Sequence, residues 1–450
     1  MRITLPLFGE SRACPRSPGV QMRGRVLMLL CLLGVFYFVW PSPPLPPSYA
    51  AEWTKERRLP QHNRWLAPPE GRDGRYVRFD APSSDFHGQF QHAILQHHVA
   101  VSSNRSYAFS PIRNAGTLES WSWPWRSARI PLGAVASTAV SGFEKLTGLP
   151  RAVSASHYNS VCRRERVYTV RGREYPTGDL DLAASGQARL VQLAEVLAAA
   201  DGCIHLRGDV FPASFFDSPE AMDMIHELVH SPVLQYFSFG RPVLDALNRA
   251  LPVIAPTAEP YDLELAVGPK KGGAPRMPAW KHILALQVPH SSDWEATCAS
   301  FGPRSAPFVG FNKLPRHPGN ENVPPPAEMP PPARFGLYAA KCSPGTTAII
   351  SRARRMRKNH PILRVIYLVT DDEGWADELT RWLLSDGWEQ VYVAPRLHNA
   401  WKDQEVRPMV DTEVARRAGV FVGNGFTTMA SNVALLRSRD LVHPDFTQFW

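Results

Sequence analysis

Short apolar runs and longer segments with helical spacing alternate along most of the chain. Runs such as Cys203–Leu206 (CIHL) and Arg364–Thr370 (RVIYLVT) are typical of strands buried on both faces of a parallel sheet. Segments such as 186–200 carry apolar residues three and four positions apart, the spacing of a helix with one buried face. This alternation predicts an α/β fold built from parallel sheets.

The pattern assigns most elements to the two ends of the chain. Predicted strands occupy residues 76–79, 107–109, 203–206, 282–288, 364–370, 390–394 and 419–422. Predicted helices occupy residues 90–101, 186–200, 218–230, 240–250, 346–359, 375–385, 410–418 and 427–437. Most of 111–185 is irregular and remains unassigned.

Length and composition set the expected domain organisation. The chain has 450 residues, 44% of them hydrophobic, which exceeds one compact domain and favours two. The Gly-, Pro- and Lys-rich stretch 267–279 is typical of a linker. We therefore expect one α/β domain over 76–270 and a second over 280–450.

The N-terminus has the pattern of a membrane anchor. Residues 1–25 hold five arginines and one acid, and the uncharged apolar run 26–40 follows, which predicts a cytosolic basic tail and a type II signal anchor. This run is shorter than the roughly 20 residues that cross an average bilayer, so a signal peptide cleaved near 49–51 (YAA) is the alternative. Either reading places the rest in the lumen of the Golgi or endoplasmic reticulum, after an extended Pro-rich stem over 41–75.

Charge and motif content argue against three functional classes. The net charge of +9 gives little support for nucleic-acid binding, because five arginines of the tail account for much of it. The sequence has no GxSxG nucleophile turn, which disfavours a hydrolase. The lumenal cysteines lack CxxC spacing, which disfavours a zinc site.

Four cysteines follow the apolar run, at Cys162, Cys203, Cys298 and Cys342. Four cysteines allow three pairings. Pairing of nearest neighbours, Cys162 with Cys203 and Cys298 with Cys342, would place one disulfide in each half of the chain, as an oxidising lumen permits. Asn104 begins the chain's N-glycosylation sequon, just before a predicted strand.

The sharpest candidate site is the segment 420–432 (VFVGNGFTTMASN), where a buried strand ends in a Gly-flanked turn and hydroxyl residues begin a helix. Glycines let a ligand approach the backbone, and first-turn amides with the helix dipole favour an anion such as phosphate. Alternatively, Thr427 and Thr428 merely cap the helix. Spacing alone favours the two readings equally.

The same segment is part of a longer resemblance. Residues 410–437 (VDTEVARRAGVFVGNGFTTMASNVALLR) and the terminal FTQFW resemble the C-terminal signature of the GDP-fucose protein O-fucosyltransferase family, as fungi carry it. Further similar stretches lie, in the family's order, at 87–109, 130–134, 307–315, 339–342 and 364–389. The resemblance implies two Rossmann-like domains facing a cleft, a GT-B-like fold, and inverting, metal-independent transfer of fucose from GDP-fucose.

Carried over residue by residue, the resemblance assigns the phosphate end of the donor to the C-terminal domain. The donor-binding candidates are Gly423, Asn424, Gly425, Thr427, Thr428 and Ser431, with Asp411 in a structural or supporting role. The acceptor-side candidates are His87, Gly88 and Gln89, in the loop that matches the family's Gly-x-Asn-Asn-Gln turn. That loop keeps Gln89 but has neither asparagine, which puts its acceptor chemistry in doubt.

The family's H-x-R motif is degenerate here. Its arginine neutralises the β-phosphate as the sugar leaves, but in the matching stretch LALQVPHSSDWEATC, Gln287 takes the His position and Pro289 the Arg position. Proline neither donates a hydrogen bond from its side chain nor carries charge. His290 could replace arginine only in part and only when protonated. The catalytic residues are therefore unassigned, with His290 and Asp293 as candidates.

A second HxR pattern, His205-Leu206-Arg207, ends the apolar run that begins at Cys203. Open α/β sheets place active residues at the carboxyl ends of strands, which makes His205 and Arg207 further catalytic candidates. Their position, far upstream of the family's motif, favours a coincidental match.

Two groups of potential metal ligands have simpler interpretations. Helical spacing places His87, His92 and His98 on different faces, so surface or capping roles are favoured over a metal site. Acids at 371–373 lie between a strand and a helix, where N-capping is the ordinary role.

The leading hypothesis is therefore a secretory-pathway glycosyltransferase that transfers fucose, or a related sugar, from GDP-fucose to a protein or glycan hydroxyl. Its partners would be a nucleotide sugar, the acceptor and, through the anchor, a membrane. The alternative is a catalytically inactive protein of the same fold that acts in binding or as a scaffold, and Pro289 favours it.

Overall fold

The structure is a computed structural model of the whole chain. It describes residues 28, 48–80, 85–113, 129–136, 148–182, 186–216, 222–258, 278–314, 330–397, 403 and 405–450. The predicted tail 1–25 lies outside these residues, as does the predicted anchor 26–40 apart from position 28. No helix within the described ranges is both long enough and apolar enough to cross a membrane.

The described strands and helices alternate as the apolar pattern predicts. The strands are β1 (Tyr76–Phe79), β2 (Ser106–Phe109), β3 (Ile112–Arg113), β4 (Arg129–Ile130), β5 (Val153–Ser154), β6 (Glu165–Thr169), β7 (Cys203–Arg207), β8 (Ile283–Gln287), β9 (Val365–Val369), β10 (Gln390–Val393), β11 (Val420–Gly423) and β12 (Thr447–Phe449). The helices are α1 (Ala50–Arg57), α2 (Phe86–Ser102), α3 (Leu132–Val135), α4 (Ala155–Val161), α5 (Gly186–Ala199), α6 (Met224–His230), α7 (Pro232–Gln235), α8 (Arg241–Ile254), α9 (Ser292–Arg304), α10 (Pro331–Cys342), α11 (Thr346–Asn359), α12 (Glu373–Ser385), α13 (Ala394–Leu397), α14 (Arg407–Arg417) and α15 (Thr428–Arg439).

Ten of these strands form two five-stranded sheets in which every pairing is parallel. The first sheet has the order β5-β2-β1-β7-β6 and the second the order β10-β9-β8-β11-β12, while β3 and β4 form a separate antiparallel pair. The second order, 3-2-1-4-5 along the chain, is that of the Rossmann sheet without a sixth strand, in which the first and fourth strands are neighbours. The predicted α/β class with parallel sheets is confirmed.

The second sheet is covered on both faces. All five residues of β8 and all four of β11 are buried. Apolar residues of α11 and α12, including Ile349 and Leu383, cover one face, and residues of α14 and α15, including Val414 and Val433, cover the other. Burial on both faces explains why these strands read as continuous apolar runs rather than as an alternating pattern.

The first sheet is covered unequally. Apolar residues of α2 and α5, such as Leu95 and Leu193, pack on one face. Among the described elements, the other face carries α4, whose Tyr158 packs with Tyr76 and Cys203. The strand β6 at the sheet's edge is mostly exposed, so its sequence lacks the apolar run that marks β8 and β9.

One apolar cluster continues from the first sheet to the second. It includes Val77 and Leu95 in the first half and Val414, Phe421 and Val433 in the second. All described residues from 48 onward belong to one compact unit. Most of the predicted linker 267–279 lies outside the described residues.

Residues 48–75 are folded rather than extended, unlike the Pro-rich stem expected over 41–75. Tyr49 and Leu59 are buried in the main core, and the side-chain amide of Gln61 donates to the carbonyl of Ala152 at 2.9 Å. The extended stem was predicted from the high Pro content. The few apolar residues of the segment, rather than its average composition, determine where it packs.

Both predicted disulfides are present. Cys162 is bonded to Cys203, and Cys298 to Cys342. Each bond lies within one half of the chain, and the first fixes the turn before β6 to the start of β7. The sequon residue Asn104 is exposed at the turn after α2; its modification stays a prediction.

Candidate functional site

The candidate site lies where the strand order of the second sheet reverses, between β8 and β11. Val422 of β11 pairs with Leu286 of β8, so the carboxyl ends of these strands lie side by side. Open α/β sheets bind ligands in the crevice at this point. The turn after β11 leads into α15, whose N-terminus therefore faces the same edge.

Gln287 fixes the turn to the end of β8. Its side-chain oxygen accepts hydrogen bonds from the backbone amide of Asn424 at 3.1 Å and from Thr427 Oγ1 at 3.0 Å. Thr427 Oγ1 also accepts from the amide of Ala430 at 3.2 Å and thereby caps α15. The capping interpretation thus describes Thr427, whose hydroxyl is fully engaged within the protein.

The loop after α9 covers the other side of the turn. The amide of Phe311 donates to Ser431 Oγ at 2.9 Å, and Asn312 Nδ2 donates to the carbonyls of Gly425 and Thr427 at 2.9 and 3.1 Å. Ser431 and Asn312 are both fully buried. Ser431, a predicted donor ligand, therefore supports the loop.

The glycines of the turn serve close packing. A Cβ atom on Gly425 would lie 2.4 Å from the ring of Phe308, and one on Gly423 would lie 2.7 Å from the ring of Phe421. Close packing against these rings is therefore sufficient to explain both glycines, without a ligand that approaches the backbone.

Polar groups of α15 remain available at its first turn. The amides of Thr428 and Met429 donate to no acceptor among the described residues. The hydroxyl of Thr428 lies 3.2 Å from Asp85 Oδ2, at the N-terminus of α2. These groups, with the positive end of the helix dipole, are what an anion at α15 would meet.

The acceptor-side loop meets this turn at the start of α2. Asp85 caps α2 by accepting from the amide of Gly88 at 2.8 Å, and the carbonyl of His87 accepts from Asn432 Nδ2 at 2.9 Å. Gln89 instead points away and exchanges hydrogen bonds with the backbone of Arg113. The structure thus brings His87 and Gly88, but not the side chain of Gln89, to the donor-side turn.

Two polar atoms beside this contact lack partners. His87 Nδ1 and Asn432 Oδ1 are shielded from solvent and form no hydrogen bond with the described residues. Burial, partly opposed by Asp85, lowers the pKa of His87 to about 4. The ring is therefore neutral near pH 7 and adds no positive charge.

The segment after β8 meets two carboxylates that follow β9. The amide of His290, directly after Pro289, donates to Asp371 Oδ1 at 2.6 Å. The His290 ring stacks on Trp375 with centroids 3.9 Å apart, and its Nδ1 lies 3.4 Å from Asp372 Oδ2. These contacts fix the His290 ring against Trp375 and Asp372.

The predicted capping role of the acids at 371–373 is confirmed for Asp372, whereas Asp371 accepts hydrogen bonds from Ser291 at the start of α9. Asp372 accepts from the amide of Trp375 at 2.9 Å and caps α12. This hydrogen bond, with a smaller contribution from His290, lowers the pKa of Asp372. No group of three or more metal-ligating side chains occurs within the described ranges.

Two other candidates lie apart from the turn. Asp411 is buried in α14 and accepts from Tyr367 Oη at 2.7 Å, and burial raises its pKa to about 6. Asp411 therefore stabilises the packing of α14 on β9 rather than contacting a donor. Asp293 lies in the exposed first turn of α9.

His205 and Arg207 end β7 in the first sheet. His205 Nε2 lies 2.7 Å from Asp80 Oδ1, and Asp80 Oδ2 accepts from the amide of Gly208 at 2.9 Å. His205 Nδ1 lies 3.2 Å from the Arg78 guanidinium. Both ring nitrogens are engaged, so His205 joins β1 to β7, while the Arg207 side chain is exposed.

The histidines of α2 differ from the surface role expected of them. His97 and His98 are each only 4% exposed. The ring of His97 stacks on Tyr107, and His98 Nε2 lies 3.6 Å from Glu227. Both histidines lie on the buried face of α2. The sequence does not indicate this, because histidine is a polar residue.

Sequence reasoning missed three residues that shape the site. These are Asp85, which bonds Thr428, Asn312, which bonds the turn, and Asn432, which bonds the loop of α2. The N-cap position of Asp85, before the apolar-periodic segment of α2, was a usable signal. Asn312 had none, because its partner is more than a hundred positions away.

The chain is similar in structure to several fucosyltransferases at low sequence identity. POFUT1 in its apo form aligns over 81% of this chain and 94% of its own, with 12% identity and a TM-score of 0.45. POFUT1 in complex with GDP-fucose aligns over 86% and 98%, with 12% identity and a TM-score of 0.45. A mutant of Arabidopsis thaliana FUT1 in complex with GDP aligns over 87% and 74%, with 10% identity and a TM-score of 0.39. Searches with the sequence matched no family model and no curated protein.

Proposed function

We propose that this protein is a glycosyltransferase that binds the diphosphate of GDP-fucose, or a related nucleotide sugar, at the N-terminus of α15 and transfers the sugar to a protein or glycan hydroxyl. The observation that carries the proposal is the pair of free amides, Thr428 and Met429, at the point where the strand order reverses. Such amides bind phosphate through hydrogen bonds and the helix dipole. The family resemblance of 410–437 supports the same position.

We further propose that the protein works in the lumen of the Golgi or endoplasmic reticulum, held by the type II anchor over 26–40. Two disulfides in the described residues support an oxidising compartment. The proposed acceptor hydroxyl would enter beside His87 and Gly88, where α2 meets α15.

Asp85 sets the electrostatic condition for donor binding. Its carboxylate lies 3.2 Å from Thr428 Oγ1, the hydroxyl that a diphosphate would use. A bound diphosphate must therefore take the place of this carboxylate at Thr428 or lie beside it. Either arrangement makes donor affinity sensitive to the charge at position 85.

Titration calorimetry of the full-length protein with GDP and GDP-fucose tests the proposal. Thr428→Ala should weaken binding about tenfold, as for a lost hydrogen bond to a charged group. Ser438→Ala is the matched control, because it removes a hydroxyl at the opposite end of the same helix, bonded to Ala434. No binding of either nucleotide to the folded protein would refute the proposal.

The alternative function, a catalytically inactive binding protein, is favoured by one arrangement. The turn is bonded to Gln287 where the family places histidine, and Pro289 stands where it places arginine. A donor-hydrolysis assay separates the two, since an active transferase releases GDP from GDP-fucose slowly without acceptor. Nucleotide binding with no GDP release, with or without acceptor glycoproteins, would support the inactive protein.

A further inference from the structure

The strand β6 forms an edge of the first sheet. It pairs with β7 in parallel from Glu165 to Thr169. A disulfide adds a second connection between the two strands, because it joins Cys162, just before β6, to Cys203 at the start of β7. The edge is therefore held in a defined position.

Hydrogen bonds at the end of β6 show which residues face outward. The amide of Val170 donates inward to the carbonyl of Arg207 at 3.0 Å. The amide of Thr169 instead donates to Asp179 Oδ2 at 3.2 Å, and its carbonyl accepts from Leu180 at 3.0 Å. Because backbone groups alternate along a strand, Val167 and Glu165 also direct their amides and carbonyls outward.

The outward backbone groups of Glu165 and Val167 have no hydrogen-bond partner among the described residues, unlike those of Thr169. Leu180 covers the edge at Thr169, while no hydrogen bond of the described residues involves the outward backbone groups of Val167. The side chain of Val167 is 37% exposed. An exposed edge of this kind can pair with another strand.

The side chains beside this edge carry positive charge. Arg163, Arg164 and Arg166 are exposed and form no ion pair with the described residues. The acid between them, Glu165, accepts a hydrogen bond from Tyr158 Oη at 2.7 Å on the face covered by α4. Its charge is therefore directed away from the arginines.

We propose that the β6 edge binds an extended acidic segment of a partner protein, which adds a strand to the first sheet. Residues next to Val167 on the partner would be apolar, and those alternating with them would be acidic, beside Arg166. The backbone of β6 would supply the hydrogen bonds and the arginines the selection for charge, as in other cases of strand addition. This inference does not depend on the proposed transferase activity.

Charge argues against a second copy of this chain as the occupant. Pairing of two β6 edges would bring two sets of the same three arginines to one short ladder, and like charges held close together are destabilising. Along this edge Arg163, Arg164 and Arg166 outnumber the acids Glu165 and Asp179, so a strand of complementary charge is acidic.

Fluorescence anisotropy with defined peptides tests the inference on the full-length protein. The probe is a labelled nine-residue peptide of alternating Glu and Val, and the control peptide has Lys in place of Glu. We expect the Glu peptide to bind at least tenfold more tightly than the Lys peptide, with an affinity that falls as salt is raised. Equal binding of the two peptides would overturn the proposal.

A peptide N-methylated at alternate positions separates strand pairing from simple charge attraction. It keeps every charge but cannot donate hydrogen bonds along one edge, so we expect at least a tenfold loss of affinity. Unchanged affinity would show binding of a polyanion rather than of a strand, and would overturn the proposal. This measurement needs no variant of the protein.

Charge reversal locates the site. Arg164→Glu/Arg166→Glu should abolish binding of the Glu peptide, whereas Arg304→Glu/Arg381→Glu, an equal charge change at exposed positions elsewhere, should not. Analytical ultracentrifugation tests whether a second copy of the chain occupies the edge instead of an acidic strand. A dimer that the first pair of substitutions dissociates would show that a second copy occupies the edge, and would overturn the proposal.

Discussion

The two parallel sheets hold their polar groups by different means. Around the first sheet, the histidines His97 and His98 are buried, and burial lowers their pKa values. Around the second, the carboxylates of Glu413 and Asp440 are buried with arginines at 2.6 Å or closer. These two histidines of the first sheet are therefore neutral near pH 7, whereas Glu413 and Asp440 of the second are charged and paired with arginines.

This difference predicts different responses to acid. Burial alone would raise the pKa of Glu413, but Arg416 and Arg417 outweigh it and lower the pKa to about 2. The stability from that pairing persists until the pH falls below about 4. A histidine with a lowered pKa instead loses stability as soon as the pH falls below its unfolded value, roughly 6.5.

The largest expected effect tests whether the two halves depend equally on their disulfides. The bonds close loops of similar length, with separations of 41 and 44 residues. The chain-entropy model gives a loss of about 4 kcal/mol for either one. Cys162→Ala/Cys203→Ala and Cys298→Ala/Cys342→Ala should therefore lower the denaturation midpoint by similar amounts.

Hydrogen exchange shows where each loss is felt. Without the first bond, amides of β6 and β7 should exchange faster, because α4 alone covers that face in the described structure. Without the second, the faster exchange should be confined to α9 and α10. Unchanged exchange in β6 after loss of the first bond would contradict the comparison.

The next effect concerns the buried histidine of the first sheet. Burial lowers the pKa of His97 to about 3, so its neutral form is favoured in the folded protein. Between pH 7 and pH 5 the unfolded chain binds a proton that the folded chain does not, which costs about 2 kcal/mol. Exchange of β2 amides, corrected for intrinsic rates, should show this loss. His97→Phe keeps a ring against Tyr107 and should remove this contribution to the pH dependence, while that of other buried histidines such as His98 remains.

The exposed His443 provides the control for that experiment. Its side chain is 67% exposed beside Asp445, so His443→Phe should leave the pH dependence of β2 unchanged. An unchanged pH profile in His97→Phe would show that the buried ring does not account for the sensitivity of the first sheet.

A smaller effect tests the amide that joins β8 to β11. Gln287→Met keeps the length of the side chain but removes the acceptor of two hydrogen bonds, from Asn424 and Thr427. The buried amide of Asn424 is left without a partner, and we expect a loss of about 1–2 kcal/mol. Gln192→Met, at a half-buried residue of α5 whose amide bonds the carbonyl of Asp181, is the control. Faster exchange at Asn424 in the first variant alone would confirm the role of Gln287.

The smallest expected effect is on ligand affinity. Asp85→Asn preserves the N-cap of α2, because asparagine and aspartate cap equally well. It removes a negative charge 3.2 Å from Thr428 Oγ1. Affinity for GDP should rise about fivefold in calorimetry, equivalent to roughly 1 kcal/mol. Asp73→Asn, at an exposed loop position, should have no effect. Weaker GDP binding in Asp85→Asn would place the diphosphate away from α15.

The sequence alone determined the elements that are buried on both faces. The runs at β8, β9 and β11 are almost entirely apolar, with Gln287 at the end of β8 as a polar residue. The helices that follow them have clear caps, so their pattern depends on no distant residue. The sequence left three disulfide pairings open, and the structure has the one between nearest neighbours. By contrast, β6 is an exposed edge strand of mixed composition, and β12 spans three residues, so neither has a local signal that distinguishes it from loop.

The tertiary structure decided which polar residues remain available for chemistry. Thr427, Thr428 and Ser431 are hydroxyl residues close together in the sequence, yet each has a different role. Thr427 contacts Gln287, Thr428 contacts Asp85, and Ser431 contacts Phe311. These partners lie more than a hundred positions away in the chain. Local propensity is set by neighbours within a few residues, whereas the availability of a hydroxyl depends on what the whole fold brings within hydrogen-bonding distance.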